Sequence, residues 1–345
     1  MKAAIVEGNG KVKLGGDIPV PEPGPYQCLC KMLACATCTG TDRKIIDSHI
    51  RLDYPAILGH ESVGRVIKIG AKVRNIKEGE MFLRPTACYP GGKIGNYYSG
   101  WGGFAEFGLI TDTKALLEDH PQEIPNHYTI YQQRIPQEIS ISPADATMLI
   151  TLKEVSSFIA NLKVTLNSSV AILGCGAVGI SMCYFAKIFG AYPVIVIGRR
   201  DKPLENAKKA GADFTINNQK ENMVSKVKEI TADKGVNYII DAAGDIDLIT
   251  ESEQFLSLNG KIAPYAVAGS SQYIFDRNKA PRLSEFIFTD PRENTAHQYI
   301  LDAIRLNFVN PKLFYSHRMP LEKIEEGFEL LRKKEALKIV FEMED

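Results

Sequence analysis

The chain changes its hydrophobic period once, near residue 142. Before that point, apolar and β-branched residues come in short runs between glycine and proline breakers: Ala3–Val6, Gln27–Ala34, Glu61–Ile69 and Phe104–Ile110, with Pro21–Pro25 among the interruptions. Such runs predict strands, and their spacing predicts a β-rich, barrel-like domain. Residues 114–137, polar and carrying Pro121, Pro125 and Pro136, are expected to form an irregular inserted loop. Beyond Ser142-Pro143-Ala144-Asp145, which reads as a helix start, helical and strand periods alternate. The pattern gives helix 144–160, strand 169–173, helix 177–189 closed by Gly190, strand 193–197, helix 203–210, and strands 237–241 and 261–265. Alternation of this kind predicts a parallel, doubly wound sheet flanked by helices. From Leu301 the tail holds a helix, a Pro311-Lys312 turn, an amphipathic helix 321–333 and a strand 337–342. The fold class is α/β, a β-rich domain joined to a doubly wound one.

At 345 residues and 45% hydrophobic content, the chain is long enough for two cores. Its 41 basic and 41 acidic residues cancel. The charge therefore gives no reason to expect a nucleic-acid or membrane partner, and a small, neutral or mildly charged ligand is expected instead. No apolar run is long enough to span a bilayer, and Met1-Lys2-Ala3-Ala4-Ile5-Val6 is broken at once by Glu7-Gly8-Asn9-Gly10. No signal peptide is read there, and a cytoplasmic location is expected. Seven cysteines, four of them crowded between positions 28 and 38, fit a reducing compartment better than a disulfide framework.

Two stretches carry chemistry. Val170-Ala171-Ile172-Leu173 leads into Gly174-Cys175-Gly176-Ala177-Val178-Gly179 and then a helix. A buried strand, these three glycines and a helix make a dinucleotide-binding fingerprint. The first glycine permits the tight turn, the second lets amides approach the pyrophosphate, and the third lets helix pack on strand, with the helix N-terminus facing phosphate charge. At the end of the next strand, where an acidic residue accepts the adenosine ribose diol, stand Gly198, Arg199 and Arg200. Two guanidinium groups suit a 2′-phosphate, which favours NADP(H) over NAD(H); Asp201 is the acceptor for the diol if the turn is shifted. Upstream, Cys38-Thr39-Gly40-Thr41-Asp42 and Gly59-His60-Glu61 bring a thiolate, an imidazole and a carboxylate into one stretch, and zinc prefers these groups. Cys28 and Cys30 alternate on a predicted strand and read as core residues. A four-thiolate knob made from them with Cys35 and Cys38 departs from the usual pair-and-pair spacing.

Cys38 followed by Thr41-Asp42, together with Pro55-x-Ile57-Leu58-Gly59-His60-Glu61-x-x-Gly64-x-Val66, resembles the catalytic segment of the zinc-dependent medium-chain alcohol and polyol dehydrogenases. Gly102-Gly103-Phe104-Ala105-Glu106, the fingerprint, and the closing run from Ser316-His317-Arg318 to Leu337-Lys338-Ile339-Val340 extend the resemblance over nearly the whole chain. It implies a GroES-like catalytic domain, residues 1–150 completed by 290–345, with a Rossmann domain, residues 151–289, inserted in it. It implies one catalytic zinc on Cys38 and His60 that lowers an alcohol's pKa as hydride leaves to the nicotinamide, with Thr41 starting a proton relay. A homodimer or homotetramer built on the nucleotide domains is implied as well, and Phe286-Ile287-Phe288 offers apolar surface for it.

Three departures from the family pattern shape the expectation. Both Thr39 and Gly40 separate Cys38 from the Thr-Asp pair, one residue more than usual. Counting back from Asp42 puts Thr39 in the ligand position, whereas counting forward from Lys31 puts Cys38 there, and a thiolate is the better ligand. The histidine that usually follows is also absent, its place falling near Lys44. The position of the carboxylate ligand falls on Ile150, which leaves Glu154, one helical turn on, or Glu61 to supply the carboxylate. No second thiolate cluster follows Gly79-Glu80, where only Cys88 occurs. Tyr89, Tyr97, Tyr98 and Trp101 stand there instead as candidate substrate contacts, and loops 47–54, 88–101 and 114–137 shape the pocket. The expected function is hydride transfer between NADP(H) and a secondary alcohol or ketone, the substrate being a polyol, sugar or cyclitol. A zinc-free quinone or enoyl reductase, and a nucleotide-binding protein without turnover, are the alternatives.

Overall fold

The computed structural model describes residues 1–50, 52–266, 272–273, 275–276 and 278–343; position 51, in the pocket loop 47–54, lies outside them. In chain order the elements are β1 (Ala3–Gly8), β2 (Lys11–Gly15), β3 (Gln27–Ala36), α1 (Asp42–Ile46), β4 (Ala56–Ile57), β5 (Glu61–Ile69), β6 (Met81–Leu83), β7 (Lys93–Ile94), β8 (Tyr97–Ser99), β9 (Phe107–Thr111), α2 (Thr113–Asp119) and β10 (Arg134–Ile135). Helix α3 (Pro143–Asn161) precedes β11 (Val170–Leu173), α4 (Ala177–Ile188), β12 (Val194–Gly198), α5 (Asp201–Lys209), β13 (Phe214–Asn217), α6 (Met223–Ile230), β14 (Val236–Asp241), α7 (Ile246–Ser252), β15 (Leu256–Pro264) and β16 (Glu285–Phe286). The tail supplies α8 (His297–Arg305), β17 (His317–Pro320), α9 (Ile324–Arg332) and β18 (Ile339–Glu342). The chain divides into two compact units, Met1–Thr151 with His297–Asp345, and Leu152–Ala296.

The first unit is the GroES-like one, built of two sheets. One has the order β2-β1-β4-β8-β7; the other runs β10-β6-β5-β3-β18-β17, with β9 also on β3. Central β3 is covered on both faces, which is why its sequence, Gln27 to Ala36, is almost continuously apolar and small. Cys28 and Cys30 pack with Val66, Phe82 and Ile110, and burial pushes the Cys28 thiol up to about 12. Beneath the other end, Phe104 meets Phe341 and Phe328 edge to face, with ring centroids 5.7 and 6.2 Å apart. Full burial of each such ring contributes about 1.5–3 kcal/mol.

Residues 114–137 are more regular than their composition predicts. They contain most of α2, a 3-10 helix over His127–Tyr131, and β10 paired with β6. The polar residues that read as loop act as caps and ties. Asn126 caps the 3-10 turn through the Tyr128 amide at 3.0 Å, the Gln132 amide donates to the Arg84 and Leu109 carbonyls, and just before the stretch Asp112 caps α2 by accepting from the Ala115 amide at 3.1 Å.

The second unit is a Rossmann sheet in the order β13-β12-β11-β14-β15-β16, parallel throughout. Every residue of β11 and β12 is buried, the mark of strands covered on both faces. Ala171, Leu173, Ile195, Ile197 and Ile239 belong to one core with Val227 and Leu248 from the helices. Strands β13 and β16 and helices α6 and α7 are additional to those read from sequence. They are short, four to eight residues at most except the two-residue β16, and a period is hard to detect over so few positions.

Candidate active site

Strand register assembles the site. In the antiparallel β3–β5 pair Ala36 faces Glu61, and in the β3–β18 pair Ala36 faces Val340. Cys38, His60 and Lys338 each lie within two residues of these partners, so three adjacent strands deliver them to one end of the sheet. The Cys38–Asp42 turn closes on itself: the Cys38 carbonyl accepts from the Thr41 and Asp42 amides, at 3.1 and 2.8 Å, while Asp42 Oδ2 accepts from the Cys38 amide at 2.8 Å. Gly40, within this turn, is exposed with open space around it. Gly59 sits at φ +109° with its backbone against Phe104; a Cβ there would come within 2.6 Å of the Phe104 nitrogen, so only glycine turns the chain into His60.

Among the described residues, Cys38, His60 and Glu61 form the one group whose potential ligand atoms converge, all within 4.8 Å of one another. Zinc bonds of about 2.0–2.3 Å put neighbouring donors roughly 3.5 Å apart, so the group fits an ion after modest contraction. Cys38 supplies the thiolate of this group. His60 Nδ1 lies 3.5 Å from the fully buried Asp42 Oδ1, and neither atom has another partner. A carboxylate behind a histidine in this way fixes the ring and leaves Nε2 for a metal. Burial opposes charge on His60, but the neighbouring Asp42 and Cys38 outweigh it and raise the imidazole well above its ordinary pKa. Thr41 Oγ1 is 3.6 Å from Cys38 Sγ.

Glu61 is engaged from behind. Its carboxylate receives Lys338 Nζ on one oxygen and Thr151 Oγ1, at 3.1 Å, on the other, and Lys338 also donates to Thr151 at 2.6 Å. Both charged side chains are 3% exposed. Ile150 is fully buried, and Glu154 is a half-buried residue of α3 in the second unit, outside the converging group. Of the four aromatic candidates, Trp101 alone touches the site, its ring centroid 5.1 Å from that of His60. The Tyr89 hydroxyl is tied to Thr111 and Gln132, and Tyr98 lies under Lys93. Sequence reasoning passed over Asp42, Thr151 and Lys338. For Lys338 a signal existed, one cation inside the otherwise apolar run Leu337 to Phe341.

In the second unit the fingerprint has the shape a dinucleotide requires. A Cβ on Gly179 would lie 2.0 Å from the Gly174 carbonyl, whereas one on Gly176 would meet nothing within 4 Å, because it faces open space. Gly176 is the N-cap of α4 and places no side chain over the first amides of that helix, which leaves them free for pyrophosphate. Cys175 is buried, and a Cβ on Gly198 would come within 2.3 Å of its sulfur. Arg199 pairs with Asp245, and Asp201 is held by Asn217 and Lys220, each at 2.7 Å. Arg200 is exposed at the N-cap of α5.

Known proteins place these features. Residues 24–119 match the family described as alcohol dehydrogenase GroES-like domain, and residues 177–292 the one described as zinc-binding dehydrogenase. The chain is 27% identical to the L-threonine 3-dehydrogenase of Pyrococcus horikoshii, covering 94% of this chain and 93% of the relative. It is also 27% identical to the NADP-dependent isopropanol dehydrogenase of Thermoanaerobacter brockii, covering 74% and 72%. Alcohol dehydrogenase TADH from Thermus sp. ATN1 has the same fold over the full length of both chains, with a TM-score of 0.82 at 22% identity. The chain thus belongs to the zinc-type, nicotinamide-dependent alcohol dehydrogenases of the medium-chain dehydrogenase/reductase superfamily.

Proposed function

We propose that the protein interconverts a secondary alcohol and its ketone with NADP(H), using one zinc per chain held by Cys38, His60 and a carboxylate. The observation that carries this reading is the convergence of Cys38, His60 and Glu61, with His60 backed by Asp42. Zinc, when bound, supplies Lewis acidity that makes the substrate hydroxyl easier to deprotonate. Asp42 keeps the His60 ring in its ligating orientation, and the Thr41 hydroxyl beside Cys38 is placed to receive the substrate proton. Trp101 forms an apolar wall next to His60. Glu61 is the carboxylate favoured over Glu154, because it already belongs to the converging group. A metal-free quinone or enoyl reductase has no use for that group.

The substrate remains a polyol, sugar or cyclitol in the wider reading, yet with Tyr89 and Tyr98 tied up in packing, Trp101 alone supports ring recognition. The L-threonine and isopropanol relatives make a small secondary alcohol the first to assay. Turnover of a panel from 2-propanol to inositol, with NADP+ and NAD+ compared, tests the function; inactivity on every secondary alcohol and ketone by zinc-loaded protein would reject it.

NADP(H) is favoured by the crowding at Gly198, where Cys175 takes the space a carboxylate would need, and by the engagement of both Asp201 oxygens. Arg200→Ala should weaken NADPH binding about tenfold to a hundredfold more than NADH, the worth of a charge-assisted phosphate contact. An unchanged ratio of the two affinities contradicts the assignment.

Asp42 and Cys38 favour the protonated imidazole of His60 in the metal-free protein, whereas zinc takes the neutral ring and the Cys38 thiolate. Zinc affinity should therefore rise with pH, because both ligands give up a proton on binding. A chelator-competition titration in which His60→Ala binds zinc as tightly as wild type would remove His60 from the ligand set. No helix among the described residues is long and apolar enough to cross a membrane, and seven free cysteines agree with a cytoplasmic setting. Assembly as a homodimer or homotetramer is part of the same reading, with Phe288, 68% exposed beside edge strand β16, as contact surface. Sedimentation as a monomer at working concentration would exclude it.

A further inference from the structure

Strands β12 and β14 flank β11, and the glycine-rich turn leaves the carboxyl end of β11 between them, at the point where the strand order reverses. Arg199 follows β12 and Asp245 follows β14, on opposite sides of that turn, and their side chains form an ion pair, Arg199 Nη2 to Asp245 Oδ2. Asp245 is anchored independently: its other oxygen caps α7 by accepting from the Leu248 amide at 3.2 Å. Arg199 is the more exposed member, 61% against 29%. One of the two cations at the position that reads the adenosine ribose is therefore already occupied by a fixed carboxylate.

We propose that Asp245 is a specificity-determining residue that tunes the cofactor preference by competing with the 2′-phosphate for Arg199. A doubly charged phosphate offers the guanidinium a bidentate partner, so NADP(H) draws Arg199 away from Asp245, whereas NAD(H), with a neutral diol, leaves the pair intact. The preference for NADP(H) is then smaller than two free arginines would produce, and the protein keeps a measurable affinity for NAD(H). This rests on reading Gly198–Arg200 as the ribose end of the cofactor site.

The test uses the full-length protein and two fragments that differ only in the 2′-phosphate, 2′,5′-ADP and 5′-AMP, titrated by calorimetry. Asp245→Asn removes the charge but keeps a good helix cap. It should raise affinity for 2′,5′-ADP about two- to fivefold, the range an exposed ion pair withholds, and leave 5′-AMP unchanged. In the Arg199→Ala background the same substitution should give no gain. A gain shared equally by both fragments, one that persists without Arg199, or no gain at all would each overturn the proposal. The cofactor reading fails separately: wild-type protein preferring 5′-AMP to 2′,5′-ADP rejects NADP(H), while a selective gain in Asp245→Asn would still support the competition.

Discussion

Cys38→Ser is expected to yield a folded protein that binds nucleotide, holds no zinc, and turns over its alcohol at least about a thousandfold more slowly. The substitution changes one atom of a half-buried side chain, so the fold should tolerate it. A serine hydroxyl is a far poorer zinc ligand than a thiolate, and only His60 and a carboxylate already claimed by Lys338 remain to hold the ion. Losing the Lewis acid forfeits several kcal/mol of transition-state stabilisation, and about 4 kcal/mol corresponds to the stated factor. Elemental analysis of purified wild type and variant, beside kcat/KM on the best secondary alcohol, decides the matter. A variant with a full equivalent of zinc, or with turnover within tenfold of wild type, would mean that the metal is held elsewhere or is not used.

How much of this was legible follows the range of the interactions. The fingerprint was readable because its whole geometry is local. Gly174, Gly176 and Gly179 lie within six positions, and the clash a Cβ on Gly179 would suffer is with a backbone atom five residues away. Cys38, His60 and Glu61 were readable as residue types, and the choice of Cys38 over Thr39 followed from zinc chemistry. The hydrogen-bonded turn that makes the choice sterically reasonable appears only in three dimensions.

The partners that decide what those residues do were the illegible part. Lys338 is 277 positions from Glu61, Thr151 is 90 positions away, and only the β3–β18 and β3–β5 registers bring the strand ends together. The 114–137 stretch failed for the opposite reason. Asn126 and Gln132 look like loop residues because capping groups and loop residues are the same types. Arg199 was assigned to a phosphate from its position alone, and Asp245, 46 positions on, could not be seen as its partner.

Lys338→Met is expected to cost about 3–5 kcal/mol of stability in the metal-free protein, because it strands the Glu61 carboxylate in a buried site with Thr151 as its remaining donor. For a unit of this size that is a fall in melting temperature of roughly ten degrees. Adding zinc should recover a large part of the loss. Glu61 belongs to the converging group, no ligand is available at Ile150, and freeing the carboxylate from the ammonium lets it pair with the ion instead. Whatever stability zinc restores must appear as tighter zinc binding, so a recovery of about 2 kcal/mol means an affinity about thirtyfold above wild type. The double variant Glu61→Gln with Lys338→Met separates the two roles. With both charges removed the buried site is nearly neutral in cost, so stability should return without zinc while the gain in affinity disappears. Melting curves with and without zinc, and chelator competition on all three proteins, provide the readout. If zinc binds the Lys338→Met protein no more tightly than wild type, Glu61 is a structural partner of Lys338 and the carboxylate ligand must come from another residue.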